Sequence, residues 1–272
     1  MNTLMYEHAA TQENLRVLKA RGAVEVEPGC GPLACGDEGR GRMAPVEDIL
    51  DEVEKALTPP DLAGWRILVT AGPTREPIDP VRFLSNRSSG KMGHALARAA
   101  RLRGAEVTLV SGPSALASPR GVRLLRVETA SEMMRSVEAE STNATAVIMA
   151  AAVADFSPGE VSAGKLEKSA LSTLSLTPNP DILAALGSRS PRPFLIGFAA
   201  ETGPGGIDRA RAKLIRKGAD IIVFNDVSDP GSGFDTDTNR IVILDREGAV
   251  EERPLASKDD AAHAILDRLP RA

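Results

Sequence analysis

Short, mostly apolar runs alternate with stretches of helical spacing along most of this chain, and that alternation leaves few folds open to it. Ile67–Val69, Val107–Val110, Ala146–Met149, Phe194–Phe198 and Ala219–Phe224 are too short for helices and too evenly apolar for strands with one wet face, which suits strands buried on both sides. Between them, Met92–Leu102 sets Met92, Leu96, Ala99 and Ala100 on one face and meets Gly104 as a stop. A weaker strand at Leu124–Val127 leads to a helix headed by Thr129 or Ser131, and Ile207–Lys217 is helical. Strand–helix alternation requires crossover connections and hence a mostly parallel sheet. We therefore expect an α/β fold, a three-layer sandwich with a mostly parallel, Rossmann-like central sheet and helices on both faces. Further strands at Leu171–Leu176 and Arg240–Leu244, a turn at Asp245–Gly248 and a helix at Ala261–Leu269 complete it.

In such sheets ligands collect outside the carboxyl ends of the strands, and the polar residues of this chain gather there. After Ile67–Val69 comes a loop rich in Gly, Pro and hydroxyls that delivers Ser88-Ser89-Gly90-Lys91 to a helix start. Unpaired N–H groups of a first helical turn attract phosphate or carboxylate, and Arg75, Arg82, Arg87 and Lys91 add positive charge beside the neutral amide of Asn86. The loop has neither the Gly-x-x-x-x-Gly-Lys-Ser/Thr spacing nor Gly-x-Gly-x-x-Gly, so an ordinary strand-to-helix connection is the alternative. At the second end, Met149, Ala150 and Ala151 let backbone approach a flat ring or a ribose, and Asp155 follows where a ribose hydroxyl or a metal would sit; close packing alone also explains an Ala run. Lys165 and Lys168 stand on a loop that is either solvated charge or a lid bringing a lysine to an α-phosphate. Asn179 or Asp181 caps the next helix, Phe198 ends a strand beside small residues, and Lys213 and Lys217 lie four apart on one helical face.

Composition removes several classes of function. A net charge of −4 over 272 residues argues against a nucleic-acid binder, and 3% aromatic residues supply no stacking platform. No apolar run has membrane-spanning length and no secretory signal precedes the body of the chain, so the expected compartment is the cytoplasm, with no membrane partner. Cys30 and Cys35 are expected to be reduced, and His8, His94 and His263 lack ligand spacing. Residues 1–45 differ from the rest, with Gly22, Gly29, Gly31, Gly36, Gly39 and Gly41 in quick succession. Val46–Leu57 reads as an amphipathic helix stopped by Pro59-Pro60, which divides the chain into 1–45, a connector at 46–64, and a main domain at 65–272.

The run Thr70-Ala-Gly-Pro-Thr-Arg-Glu-Pro-Ile-Asp79, continued by Arg82-Phe-Leu-Ser-Asn-Arg-Ser-Ser-Gly-Lys-Met-Gly93, resembles the signature of phosphopantothenoylcysteine synthetase, the ligase of coenzyme A biosynthesis. The resemblance covers about residues 65–272 in five ordered motifs. It implies that 4′-phosphopantothenate and L-cysteine are joined with CTP, giving CMP and pyrophosphate through an acyl-cytidylate, with Mg²⁺ or Mn²⁺ and in a homodimer. It implies nucleotide contacts at Met149, Ala150, Ala151, Asp155, Lys165, Pro180, Asp181, Ile182, Leu183, Phe198, Lys213 and Lys217, with Asp155 also the candidate metal ligand. Asn86, Lys165 and Arg82 carry the catalytic assignments: Lys165 at the α-phosphate, Asn86 steadying the carbonyl oxygen of the acyl-cytidylate, and Arg82 on the substrate's phosphate or carboxylate.

Met1–Tyr6 and Ala34–Met43 resemble the substrate motif and flap of phosphopantothenoylcysteine decarboxylase, in which the residue matching Cys35 is the proton donor. Because the flavin site and catalytic histidine of that family lie upstream of what this chain contains, the expectation is a remnant that neither binds FMN nor decarboxylates. Two other readings stand beside the ligase. A Rossmann-type NAD(P)-dependent oxidoreductase would need a glycine fingerprint, and the sole spacing match, Gly39 to Ala44, follows no expected strand. A non-catalytic nucleotide-binding or oligomerisation module is the other.

Overall fold

The computed structural model describes residues 1–167, 173–201, 203, 205–226, 231–233 and 236–270. The chain separates into two compact units, Met1–Pro60 and Asp61–Ala272.

In the first unit, helices α1 (Thr3–Glu7) and α2 (Ala9–Ala20) precede a hairpin of β1 (Gly29–Pro32) and β2 (Glu38–Arg42), and α3 (Val46–Leu57) follows. Part of the Gly-dense stretch is thus this hairpin. Its close packing on α1 demands glycine: a Cβ at Gly41, where φ is +138°, would fall 2.2 Å from the Met1 carbonyl oxygen. Cys35 sits in the hairpin turn, exposed, with Asn2 Nδ2 3.3 Å from its sulfur and Asp37 Oδ2 3.3 Å away. Both cysteines are free thiols.

The second unit is built on β3 (Arg66–Ala71), whose residues 67–71 are all buried. After it come the hairpin β4 (Arg75–Pro77) and β5 (Phe83–Ser85), α4 (Lys91–Leu102), β6 (Glu106–Ser111), β7 (Arg123–Arg126), α5 (Ala130–Ser141) and β8 (Ala146–Met149). A second hairpin, β9 (Phe156–Pro158) with β10 (Leu176–Pro178), precedes α6 (Ile182–Gly187), β11 (Phe194–Glu201), α7 (Gly206–Lys217), β12 (Ile221–Asp226), β13 (Thr238–Asp245), β14 (Val250–Ser257) and α8 (Lys258–Leu266). The strand expected from Leu171 begins, among the described residues, only at Leu176; Lys168 and residues 169–172 lie outside them.

One eight-stranded sheet runs β14-β13-β12-β11-β8-β3-β6-β7. From β12 to β7 all neighbours are parallel, and β13 and β14 add an antiparallel edge. Alternate residues of β3 face opposite layers. Ile67, Val69 and Ala71 join the core beneath α4 and α8, whereas Leu68 joins Met133 and Val137 of α5, Leu186 of α6 and Leu214 of α7. Three layers result, as the alternation of apolar runs implies. Thr129 caps α5 through a reciprocal bond with Glu132, and Asp181 caps α6 by accepting from Ala184 N at 3.1 Å.

Counted along the chain, the six parallel strands lie in the order 3-2-1-4-5-6. The connection from β7 back to β8 crosses to the other side of β3, so the loops leaving β3 and β8 diverge to opposite faces and open a crevice between them.

Candidate active site

A cavity of about 760 Å³ occupies that crevice at the carboxyl ends of β3, β8, β11 and β12. The helix α4 aims its first turn into it, with Ser88, Gly90, Lys91, Met92 and Gly93 in the wall. Gly90, at φ +83°, ends the loop in a conformation other residues avoid, and its amide donates to the Ser88 hydroxyl at 3.4 Å at the mouth of the helix. The cavity wall carries Arg87, Lys91, Lys213, Lys217 and Lys258 against the carboxylates Asp155 and Asp181, a balance that favours an anion.

Asn86, Met149, Ala150, Ala151, Asp155, Pro180, Asp181, Ile182, Leu183, Phe198, Lys213 and Lys217 all line this one cavity, although they lie on or follow three different strands of the sheet, β3, β8 and β11. Two buried threonines, Thr70 of β3 and Thr74 of the loop after it, shape the Ala run. The hydroxyl of Thr70 accepts from Ala151 N at 3.1 Å and that of Thr74 from Ala154 N at 3.0 Å. Asn86 Nδ2 donates to the carbonyls of Ala152 at 3.1 Å and Val153 at 3.2 Å. Both its amide hydrogens are thereby engaged, so the atom Asn86 presents is Oδ1, an acceptor; the expected role of steadying a carbonyl oxygen does not match this geometry. Asp181 pairs with Lys217, and Lys213 Nζ donates to the Phe198 carbonyl at 2.7 Å.

Arg82, Lys165 and Cys35 are not in the wall. Arg82 is turned away into an ion pair with Asp79 and a 2.7 Å bond to the Leu166 carbonyl, which removes its guanidinium from the surface expected to meet substrate. Lys165 is exposed on the segment after β9. Cys35 belongs to the N-terminal unit.

Residues that sequence reasoning passed over complete the wall: Lys258, Asn225 and Asn239. Lys258 is 6% exposed, with Nζ donating to the carbonyls of Gly233 at 3.0 Å and Thr236. Its signal in the sequence was slight, because the expected helix begins at Ala261, three residues beyond it, whereas the helix begins at Lys258 itself. No group of three or more His, Cys, Asp or Glu side chains able to hold a metal exists among the described residues, so Asp155 has no partner ligands there and the described residues build no metal cage.

The coenzyme A biosynthesis bifunctional protein CoaBC of Vibrio cholerae is 45% identical over 271 residues, covering 98% of this chain and 67% of that protein. A cysteine/cysteine sulfinic acid decarboxylase from an unknown prokaryotic organism is 44% identical over 277 residues, 99% of this chain and 77% of its own. A crystal structure of the C-terminal domain of CoaBC superposes with a TM-score of 0.66 at 42% identity, covering 76% of this chain and 95% of that one. The Flavoprotein family model matches residues 1–58. That match corrects the reading of residues 1–45 as a mere remnant: the segment matches the Flavoprotein model through α3, and the expectation that it neither binds FMN nor decarboxylates is not confirmed. Residues 62–271, which hold the sheet and every residue of the cavity wall, match the DNA/pantothenate metabolism flavoprotein C-terminal domain, and the chain belongs to that family.

Proposed function

We propose that the C-terminal unit is a ligase of coenzyme A biosynthesis that joins 4′-phosphopantothenate to L-cysteine with CTP. The observation that carries this is the cationic cavity at the switch point of the sheet, where Asn86, Asp155 and Phe198 meet from three separate strand ends. A carboxylate is a weak electrophile. Its oxygen attacks the α-phosphorus of CTP, the bond to the β-phosphate oxygen breaks, and pyrophosphate leaves with that electron pair. The amine of cysteine then attacks the acyl carbonyl, loses a proton, and expels CMP.

The triphosphate fits the α4 amides with Lys91 and Lys213 beside them, and Lys217 would exchange Asp181 for a phosphate oxygen. Lys165 would swing in over the α-phosphate as charge develops. Asn86, with Oδ1 outward, suits an acceptor for the ammonium or amine of cysteine better than a donor to an oxyanion. A divalent ion such as Mg²⁺ or Mn²⁺ would arrive on the triphosphate, since Asp155 alone offers it one carboxylate. We also propose a cytoplasmic homodimer. Val81, Phe83, Phe156, Val161 and Leu176 are large apolar residues left exposed on and near the two hairpins, a surface suited to a second copy. The Flavoprotein match supports a second role, in which residues 1–58 serve flavin-dependent decarboxylation with Cys35 as proton donor.

Pyrophosphate release from CTP, dependent on 4′-phosphopantothenate and followed by amide formation with cysteine, tests the ligase. Lys165→Gln should lower that release by at least about 100-fold, the scale of losing one preorganised group at a developing charge. Hydride transfer to NAD(P), or nucleotide binding without any pyrophosphate, would sink the assignment.

A further inference from the structure

The carboxylate of Asp79 has no exposed side-chain surface, yet it stands outside the cavity wall. A buried carboxylate persists only where donors and cations meet it. Its Oδ1 accepts from the main-chain N–H of Val81 at 2.8 Å and of Arg82 at 2.9 Å, closing the turn between β4 and β5. The turn accounts for that oxygen alone. Oδ2 accepts from the N–H of Leu166 at 3.2 Å and from Arg82 Nε at 2.9 Å, while Arg82 Nη2, which also contacts Asp79, donates to the Leu166 carbonyl at 2.7 Å. Leu166 is therefore held at both main-chain groups by one acid–base pair. A third tie lies nearby, from Ser162 N–H to the Ile78 carbonyl at 3.0 Å. The Arg82 guanidinium, with help from the main-chain donors, holds the Asp79 carboxyl well below the usual carboxylate range, so the grip stays charged at neutral pH.

The residue next to this grip is Lys165. We propose that Asp79 is a positioning residue for nucleotidyl transfer: through Leu166 it fixes the backbone from which Lys165 reaches the α-phosphate. The inference rests on the role given to Lys165 above. An exposed lysine on a loose segment must lose backbone and rotamer freedom each time it meets its target, and an anchor one residue away removes the backbone part of that cost. It also gives Arg82 a function that needs no contact with substrate.

Asp79→Asn keeps the shape and the Oδ1 acceptor but loses the charge facing Arg82 and Leu166. In the full chain it should slow single-turnover pyrophosphate release by about 10- to 100-fold, the scale of a misplaced catalytic group. The KM for CTP should stay within about threefold, and pre-formed acyl-cytidylate should react with cysteine at the wild-type rate. In a Lys165→Gln background Asp79→Asn should cost nothing more, because the two act as one unit. Equal losses in both half-reactions, or losses that add in the double variant, overturn the proposal. Amide exchange at Leu166 gives an activity-free reading: the wild-type amide should exchange at least about tenfold more slowly than those of Lys165 and Glu167, and an unprotected Leu166 overturns the grip even if Asp79→Asn fails to fold. A wild-type protein that releases no pyrophosphate sinks the ligase reading itself, which separates that failure from one confined to the variant.

Discussion

Asn86 shows how one side chain can be placed by what it gives up. Its two amide hydrogens hold the carbonyls of Ala152 and Val153, and through them the Ala run that walls the cavity, so the same bonds that orient Oδ1 also tie the loop after β3 to the loop after β8. Asn86→Asp replaces a double donor with an acceptor facing two carbonyl oxygens, and a repelled pair costs more than a lost neutral hydrogen bond. The geometry separates this effect from the chemistry of Lys165. With Asn86→Asp, pyrophosphate release should persist within about threefold while amide formation falls by roughly 100-fold, the loss typical of removing one oriented polar group. Acyl-cytidylate should then accumulate, visible by rapid quench and chromatography. A variant that forms product at the wild-type rate would take Asn86 out of the reaction. Asn86 was legible in the sequence through its family motif, but the direction of its amide was not: that depends on which carbonyls lie opposite, and they come from residues 66 and 67 positions further along.

At the scale of elements, the contact of α4 with β3 decides where the first turn of α4, and with it the proposed anion site, lies. A Cβ added at Gly93 would fall 2.5 Å from the Ala71 Cβ and 2.7 Å from the Thr70 carbonyl oxygen, so the helix approaches the central strand as closely as only glycine permits. Helix propensity alone favours Gly93→Ala by up to about 1 kcal/mol. Packing opposes it, since overfilling a tight contact costs about 1–3 kcal/mol and here would push the first turn of α4 off the sheet. We expect Gly93→Ala to lower Tm and to weaken CTP binding in parallel, by thermal melting and isothermal titration; a raised Tm would show that the helix has room. The parallel strands and their helices were readable because buried strands are continuous apolar runs and α4 and α7 keep an apolar face. The hairpins of β4 with β5 and β9 with β10 were not, since three-residue strands carry too little pattern. Nor was β14, whose Val-Glu-Glu-Arg-Pro-Leu-Ala-Ser is an edge strand with only every second or third side chain partly covered. Lys258, the residue after that unread strand, reaches the cavity from it.

For the C-terminal unit as a whole, Arg103 joins the first residues to the last helix. Its side chain, 8% exposed, donates from Nε to Asp61 at 2.8 Å and from Nη1 to Asp267 at 2.8 Å and to the His263 carbonyl at 3.2 Å, and its own carbonyl accepts from Leu62 N at 2.9 Å. One buried cation thus ties the segment entering β3, the end of α4 and the end of α8. The partner carboxylates are half exposed, so solvent screens each pair and limits its net worth to about 0.5–1 kcal/mol. The hydrogen bond from Arg103 lowers the pKa of Asp61 in the folded state, outweighing the opposing effect of burial. An acid whose folded pKa lies below its unfolded value, about 3.9, stabilises the fold above that value and loses the contribution as pH falls through the folded pKa. Asp61→Asn should therefore be less stable than wild type by about 0.5–1 kcal/mol at pH 7, with the same difference at about pH 5.5. Below pH about 4 the gap should close, because the protonated acid of the wild type and the amide of the variant then offer Arg103 similar neutral partners. Urea unfolding at a series of pH values measures both limbs, and a gap that stays constant down to about pH 3 would mean that Asp61 acts by shape and hydrogen bonding alone, with no charge in the tie.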